Sequence, residues 1–255
     1  MTGLGAPMLM LLGLLGLAAG IGITAVGPGG VLATIALYAL TGLSPAQVAG
    51  TALVTHIATG ALGTAAYTRS GQLQDGETRR IALLLATSAV LGAPLGVLIN
   101  SVVSGRVFGL LLGLFVALVA LLVWYRDRRE MNAPAATRLP VGLLVGVGFA
   151  VAVAGGMFGI GGPLLAVPLL VALRVPVLAA LAAAQVQSVV IAGVGSLGYL
   201  THNAIDWPLA AIVGLPELAG VLIGWIIARA LPTRTLKCLL VAILIAVAPY
   251  LALRG

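Results

Sequence analysis

Two residues that can exchange protons lie inside the long apolar runs of this sequence. His56 is near the middle of one run, and Glu217, which follows Pro216, is the only acid well inside another. A carboxylate at the centre of a bilayer costs roughly 2.5–3.5 kcal/mol, so Glu217 should be protonated, paired or functional. One hypothesis is proton coupling through Glu217 and His56. The alternative is that Glu217 caps backbone groups that Pro216 leaves free.

Uncharged polar residues at similar depth are the next candidates, and we expect them to line a substrate-binding cavity. They are Thr55 beside His56, and Gln185, Gln187 and Ser188 in a later run. Polar groups this deep usually face a cavity or another helix rather than lipid, and Gln185 and Ser188 share one helix face. The alternative is hydrogen bonding between helices, and a threonine can also satisfy its own backbone.

Two glycine-rich segments carry the strongest prediction of binding. They contain Gly27, Gly29 and Gly30 in the first case, and Gly159, Gly161, Gly162 and Pro163 in the second. Dense glycine ends a helix because it has high backbone entropy and no side chain to pack. The apolar runs that follow, 31–40 and 164–173, are too short to span a bilayer.

If these short runs are half-helices, each presents unpaired amides and about half a positive charge at its N-terminus, which suits an anion. Pro163 fits the first helical position, where its missing amide costs nothing. The alternative is that the glycines only allow close helix packing.

The elements that position these residues follow from composition. Of 255 residues, 61% are hydrophobic and only 7% are charged, whereas soluble domains carry about 25% charged residues. The apolar runs are continuous rather than alternating, which excludes an outer-membrane barrel. We therefore predict an all-α polytopic membrane protein with about eight transmembrane helices, each half of the chain containing a half-helix broken by glycine.

Several function classes are not supported by the sequence. It has no Gly-x-Ser-x-Gly elbow, no His-Glu-x-x-His motif and no Walker loop, so we expect no catalytic residues and no enzyme. One cysteine, Cys238, argues against a metal cluster, and no cofactor is expected. The net charge of +7 comes mostly from arginines between apolar runs, without a basic face for nucleic acid. The expected partners are a small anion and the lipid bilayer. The sequence leaves open whether the protein forms a homo-oligomer.

The apolar runs repeat along the chain. A shift of 132 residues carries Tyr67 onto Tyr199, and a shift of 128 carries Gly92 onto Gly220. Duplication is a common plan among transporters, and short interrupted runs in matching positions mark their binding sites. We predict a first repeat over 1–125, a basic cytoplasmic linker over 126–138 and a second repeat over 139–255, each repeat with about four hydrophobic spans.

Two topologies are compatible with this plan. With four crossings per half, the repeats are parallel and the arginines and lysines divide 8 to 5 between the two faces. If each first run and its short partner form a hairpin, three crossings remain, the repeats are inverted and the charges divide 11 to 2. The positive-inside effect favours the second topology, while the full length of the first run favours the first.

The motif Gly-Ile-Gly-Gly-Pro at residues 159–163, followed by Pro-Leu-Leu at 168–170, resembles the signature of the TauE/SafE sulfite exporter family. Residues 184–188, 198–199 and 205–207 are similar to its next blocks. The resemblance implies a secondary transporter of small sulfur-containing anions, such as sulfite or sulfonates, in a bacterial inner membrane. A proton gradient or the membrane potential would drive it. The alternatives are a passive anion channel or a transporter of another small organic anion.

Overall fold

The computed structural model of the protein describes residues 4–127 and 138–230, and within these ranges the chain forms helices and no strands. The helices are α1 (Ala6–Ala25), α2 (Val31–Leu40), α3 (Pro45–Arg69), α4 (Gly76–Val102), α5 (Gly105–Asp127), α6 (Val141–Phe158), α7 (Pro163–Ala172), α8 (Val177–Thr201) and α9 (Trp207–Ala230). Six of them are long and apolar enough to cross a membrane, which confirms an all-α polytopic membrane protein. The apolar run at 236–253, Cys238 and most of the linker lie outside the described residues.

Both interrupted helices are present where the glycine-rich segments predict them. Residues 26–30 separate α1 from α2, and residues 159–162 separate α6 from α7. Gly27 has φ 104° and Gly159 has φ 72°, a backbone conformation that a side chain at either position would strain. The chain can therefore leave each long helix abruptly and begin a short one.

Helices α3 and α8 lie side by side near the middle of the molecule and run in opposite directions. A Cβ added at Gly50 would lie 2.9 Å from Cβ of Tyr199, near the end of α8, and one at Gly63 would lie 2.8 Å from Cδ of Gln185, nearer its start. The 132-residue shift carries both ends of α3 onto the ends of α8. Equivalent helices of the two halves therefore run in opposite directions, as the inverted topology requires. In that topology α1–α2 and α6–α7 form hairpins.

Two further pairs, α1 with α9 and α4 with α6, pack through close backbone contact. Gly220 meets the carbonyl of Leu17, and Gly92 meets that of Phe149, which are equivalent positions under the two shifts. Small residues let helices approach closely in membranes, so these glycines have a packing role. The matched contacts support the proposal that residues 1–125 and 139–255 are two repeats.

Positive charge is concentrated on one face, which we call the linker face because the linker begins and ends there. Arg80 marks it by donating from Nη2 to the Leu139 carbonyl at 3.0 Å. Among the residues whose side chains the structure describes, this face carries Arg69, Arg79, Arg80, Arg138 and Arg174. The opposite face carries Arg106. This asymmetry supports the prediction that the linker is cytoplasmic.

Candidate functional site

Both short helices begin beside the middle of the α3–α8 pair. Gly30 and Gly162 are the N-cap residues of α2 and α7, and neither helix start has a side-chain cap. A Cβ added at Gly30 would lie 2.8 Å from Nε2 of His56. One added at Gly161 would lie 2.5 Å from Oγ of Ser188 and 3.5 Å from Cδ2 of His56. The structure therefore brings both helix starts to His56.

His56 is paired with the only buried acid among the described residues. Its Nε2 lies 3.3 Å from Oε1 of Glu217, and the two side chains are 1% and 0% exposed. The contact is close enough for an ion pair, but it is not aligned as a hydrogen bond, and neither Glu217 oxygen accepts one from the described residues. In this conformation Glu217 makes no hydrogen bond to backbone groups near Pro216.

An imidazole and a carboxyl in contact can share one proton, as an ion pair or as two neutral groups. Both forms have zero net charge, so the pair avoids the cost of an isolated buried charge. Protonating the carboxyl while the imidazole stays charged gives the pair a net positive charge. In that form the site can balance an anion, and it carries one more proton than before.

The structure brings Ser188 and Gln187 to the start of α7. Ser188 lies against Gly161. Oε1 of Gln187 has no hydrogen-bond partner among the described residues and would lie 3.2 Å from a Cβ added at Gly162. The amide nitrogen of Gln187 donates to the Gly148 carbonyl at 2.8 Å. This bond holds the side chain and leaves its oxygen near the glycine segment.

Gln185 and Thr55 lie farther from this centre. Nε2 of Gln185 donates to the Ile23 carbonyl at 3.3 Å, so this side chain lies toward the linker face, beside the end of α1. Thr55 donates to the Ala52 carbonyl in its own helix at 2.8 Å, and its methyl group faces Gly214. The Thr55 hydroxyl is therefore bonded within its own helix.

The glycines divide into two groups. Gly30, Gly161 and Gly162 face the polar centre, whereas Gly29 packs against α1 and Gly159 against the backbone of Ala49. The two segments also contact each other. A Cβ at Gly27 would lie 3.1 Å from the Pro163 carbonyl oxygen, and the Thr34 hydroxyl donates to the Gly159 carbonyl at 3.1 Å. Each segment therefore contains glycines that pack against helices and glycines that face the polar centre.

A narrow recess without room for a water molecule borders the second glycine segment. Apolar side chains of α5, α6 and α7 line it, including Phe115, Val151 and Leu164, and its backbone wall includes Gly161. His56, Glu217 and Ser188 are each at most 2% exposed. This conformation is therefore closed around the polar centre.

Two tyrosine bonds were not predicted from the sequence. The Tyr67 hydroxyl donates to the Thr24 carbonyl at 2.6 Å, and the Tyr199 hydroxyl donates to the Gly156 carbonyl at 2.7 Å. The 132-residue shift carries Tyr67 onto Tyr199 and Thr24 onto Gly156. The matching tyrosines were visible in the sequence, but nothing there identified their acceptors.

Two interrupted helices that meet at a buried polar centre are typical of membrane transport proteins. The family model of the sulfite exporters TauE/SafE matches residues 12–251, nearly the whole chain, and the protein belongs to this family. The match confirms the resemblance. Comparison with curated proteins found no match, and comparison with solved structures found none. The family is one of membrane transporters, which agrees with the expectation that the protein is not an enzyme.

Proposed function

We propose that the protein is a secondary transporter that moves small sulfur-containing anions, such as sulfite or sulfonates, across the bacterial inner membrane. A proton gradient or the membrane potential drives the flux. The observation that carries this proposal is the convergence of two glycine-capped helix starts on the buried His56–Glu217 pair. Family membership supports the sulfur-containing substrate class.

The anion would bind between the starts of α2 and α7. Each start contributes backbone amides and about half a positive charge. Protonated His56 would add a full charge, and the Ser188 hydroxyl can donate a hydrogen bond to an anion oxygen. A tetrahedral or pyramidal oxyanion offers several acceptors, so it can use donors that approach from two sides.

Proton coupling follows from the position of Glu217. In a buried site an added anion needs a balancing positive charge, because an uncompensated charge is costly away from water. A proton that binds the Glu217 carboxyl frees the charge on His56 for the anion. One proton would then accompany each monovalent anion.

A passive channel is the second candidate. Burial of the polar centre from both faces favours a carrier, since a carrier must pass through a state that excludes water from its site. The test uses purified protein in liposomes under anaerobic conditions with radiolabelled sulfite. A carrier gives saturable flux that is stimulated by unlabelled anion on the opposite side. A channel gives flux without this stimulation.

The same liposomes test the driving force and the substrate. A pH gradient and a potassium diffusion potential are imposed separately. The gradient that makes sulfite accumulate above its equilibrium concentration is the driving force. Thiosulfate, sulfoacetate, sulfate and acetate are then compared as competitors. Competition by acetate alone would favour another organic anion, and no flux of any of them would contradict the proposal.

A further inference from the structure

We propose that Tyr67 and Tyr199 are positioning residues that close the two access routes to the polar centre, one at each face of the membrane. Each tyrosine would hold the end of one hairpin helix against the central α3–α8 pair, and release of one bond would open one route. This inference rests on the proposed transport function.

The two bonds are equivalent in geometry and environment. Each tyrosine is 1% exposed and donates to a carbonyl near the end of the long helix that precedes a glycine segment. Thr24 is in the last turn of α1, and Gly156 is in the last turn of α6. Each bond therefore fixes the point at which a long helix gives way to glycine.

The bonds lie on opposite sides of the centre. Tyr67 follows His56 by eleven residues along α3, and Tyr199 follows Ser188 by eleven residues along α8. At 1.5 Å per residue, each tyrosine is about 16 Å from the middle of its helix. Because α3 and α8 are antiparallel, Tyr67 lies toward the linker face and Tyr199 toward the opposite face.

Each bond is expected to persist only while its own face is closed. A buried carbonyl and a buried hydroxyl that separate without water lose a hydrogen bond and remain unsatisfied. Water that enters an opening route satisfies both groups, so separation of α1 from α3 and hydration of the linker-face route would occur together. Both bonds are formed here, in agreement with a centre closed at both faces.

The experiment measures access to the centre from each face without using transport. The only cysteine of the chain is removed by Cys238→Ser, and Ser188→Cys places one thiol at the centre. Right-side-out and inside-out vesicles are prepared from the same cells. The rate of modification by a membrane-impermeant maleimide is measured in each.

Tyr67→Phe removes the hydroxyl at the linker face and keeps the ring. We expect it to raise the modification rate from the linker face about 5-fold, the equivalent of one net hydrogen bond, with little change from the other face. Tyr199→Phe should give the reverse pattern. The double variant should raise both rates.

Tyr38→Phe is the matched control, because the Tyr38 hydroxyl also donates to a carbonyl, that of Gly105, at 3.3 Å. This bond joins α2 to the start of α5, away from both routes, and its loss should leave both rates unchanged. A purely structural role would make Tyr67→Phe and Tyr199→Phe raise both rates together. Equal changes at the two faces, or no change in either, would overturn the inference.

The anion site is tested separately in protein that keeps Ser188, because Ser188→Cys removes a proposed donor to the anion. Sulfoacetate should compete with radiolabelled sulfite for uptake into liposomes if it binds at the centre. Sided modification of the thiol without this competition would support the two access routes and count against the proposed anion site. Competition without sided modification would support the anion site and count against the two access routes.

Discussion

Nε2 of His56 lies 3.3 Å from Oε1 of Glu217, and the two side chains come from helices on opposite halves of the chain. This contact is the reason that proton coupling is a specific hypothesis. Both groups are buried, and neither has a hydrogen-bond partner among the described residues.

Glu217→Gln tests the pair directly. Glutamine has nearly the same shape but cannot bind the transported proton, and it leaves His56 without a countercharge in a buried position. We expect flux driven by a pH gradient to be abolished. Liposome uptake measured with and without the gradient checks this, and unchanged coupling would remove Glu217 from the mechanism.

The second histidine provides the control for His56. His202 is exposed at the end of α8, so His202→Gln should leave flux unchanged, whereas His56→Gln should lower it by at least about 10-fold. A loss of one charge-assisted hydrogen bond in the bound state, worth about 1.5–3 kcal/mol, gives an effect of this size. Equal behaviour of the two variants would argue against an anion partner at His56.

Gly30→Ala tests whether the first short helix must approach His56 closely. Gly30 has φ −60° and ψ −25°, which alanine adopts without strain, so the effect comes from the added Cβ at 2.8 Å from Nε2 of His56. Displacement of the imidazole should lower flux and raise KM. Gly42→Ala is the control, because an added Cβ there meets nothing within 4 Å.

Gly220→Ala tests the packing of α1 on α9. The added methyl group would overlap the Leu17 carbonyl oxygen, and backbone can yield only by separating the helices. We expect a loss of about 1–3 kcal/mol, typical of overpacking, seen as a lower unfolding temperature in detergent. Gly146→Ala should have little effect, since an added Cβ there has open space.

Asp75, at the linker-face start of α4, gives a prediction on pH. Its carboxylate accepts from the Thr78 backbone N–H at 2.8 Å, and this bond lowers the pKa of Asp75 from its usual value. A lowered pKa means that the stabilisation is present above the unfolded pKa and is lost as the pH falls through the folded one. Asp75→Ala should therefore lower the unfolding temperature at pH 7, and the gap to the unaltered protein should close under acid.

Asp75→Asn is the matched control because it keeps an acceptor at the N-cap but cannot titrate. Its unfolding temperature should lack the acid-dependent step that the bond between Asp75 and Thr78 causes. An identical step in the asparagine variant would assign the acid sensitivity to other groups.

Local sequence was sufficient to predict the interrupted helices. Dense glycine at 27–30 and 159–162 disfavours a continuous helix, and the short runs that follow cannot span a bilayer. Proton coupling through Glu217 and His56 was a hypothesis based on the cost of a buried acid, and a direct contact between the two was not predicted. The structure brings the two together.

Other features depend on contacts that sequence does not record. Length and charge gave conflicting topologies, and the antiparallel direction of α3 and α8 became visible only in their packing. Thr55 was a candidate for the binding site because of its depth in the apolar run. Its hydroxyl instead donates to the carbonyl of Ala52 in the same helix. The acceptors of Tyr67 and Tyr199 are backbone carbonyls, which have no residue-type signature.

The pairing of His56 with Glu217 also bears on how such a protein could have arisen. Under the two shifts, Ser188 stands in the place of His56, and Ala89 stands in the place of Glu217. Two copies of the N-terminal half would bring two histidines and no acid to the polar centre. Two copies of the C-terminal half would bring two glutamates and no histidine. The acid–base couple therefore depends on the difference between the two halves at these two positions.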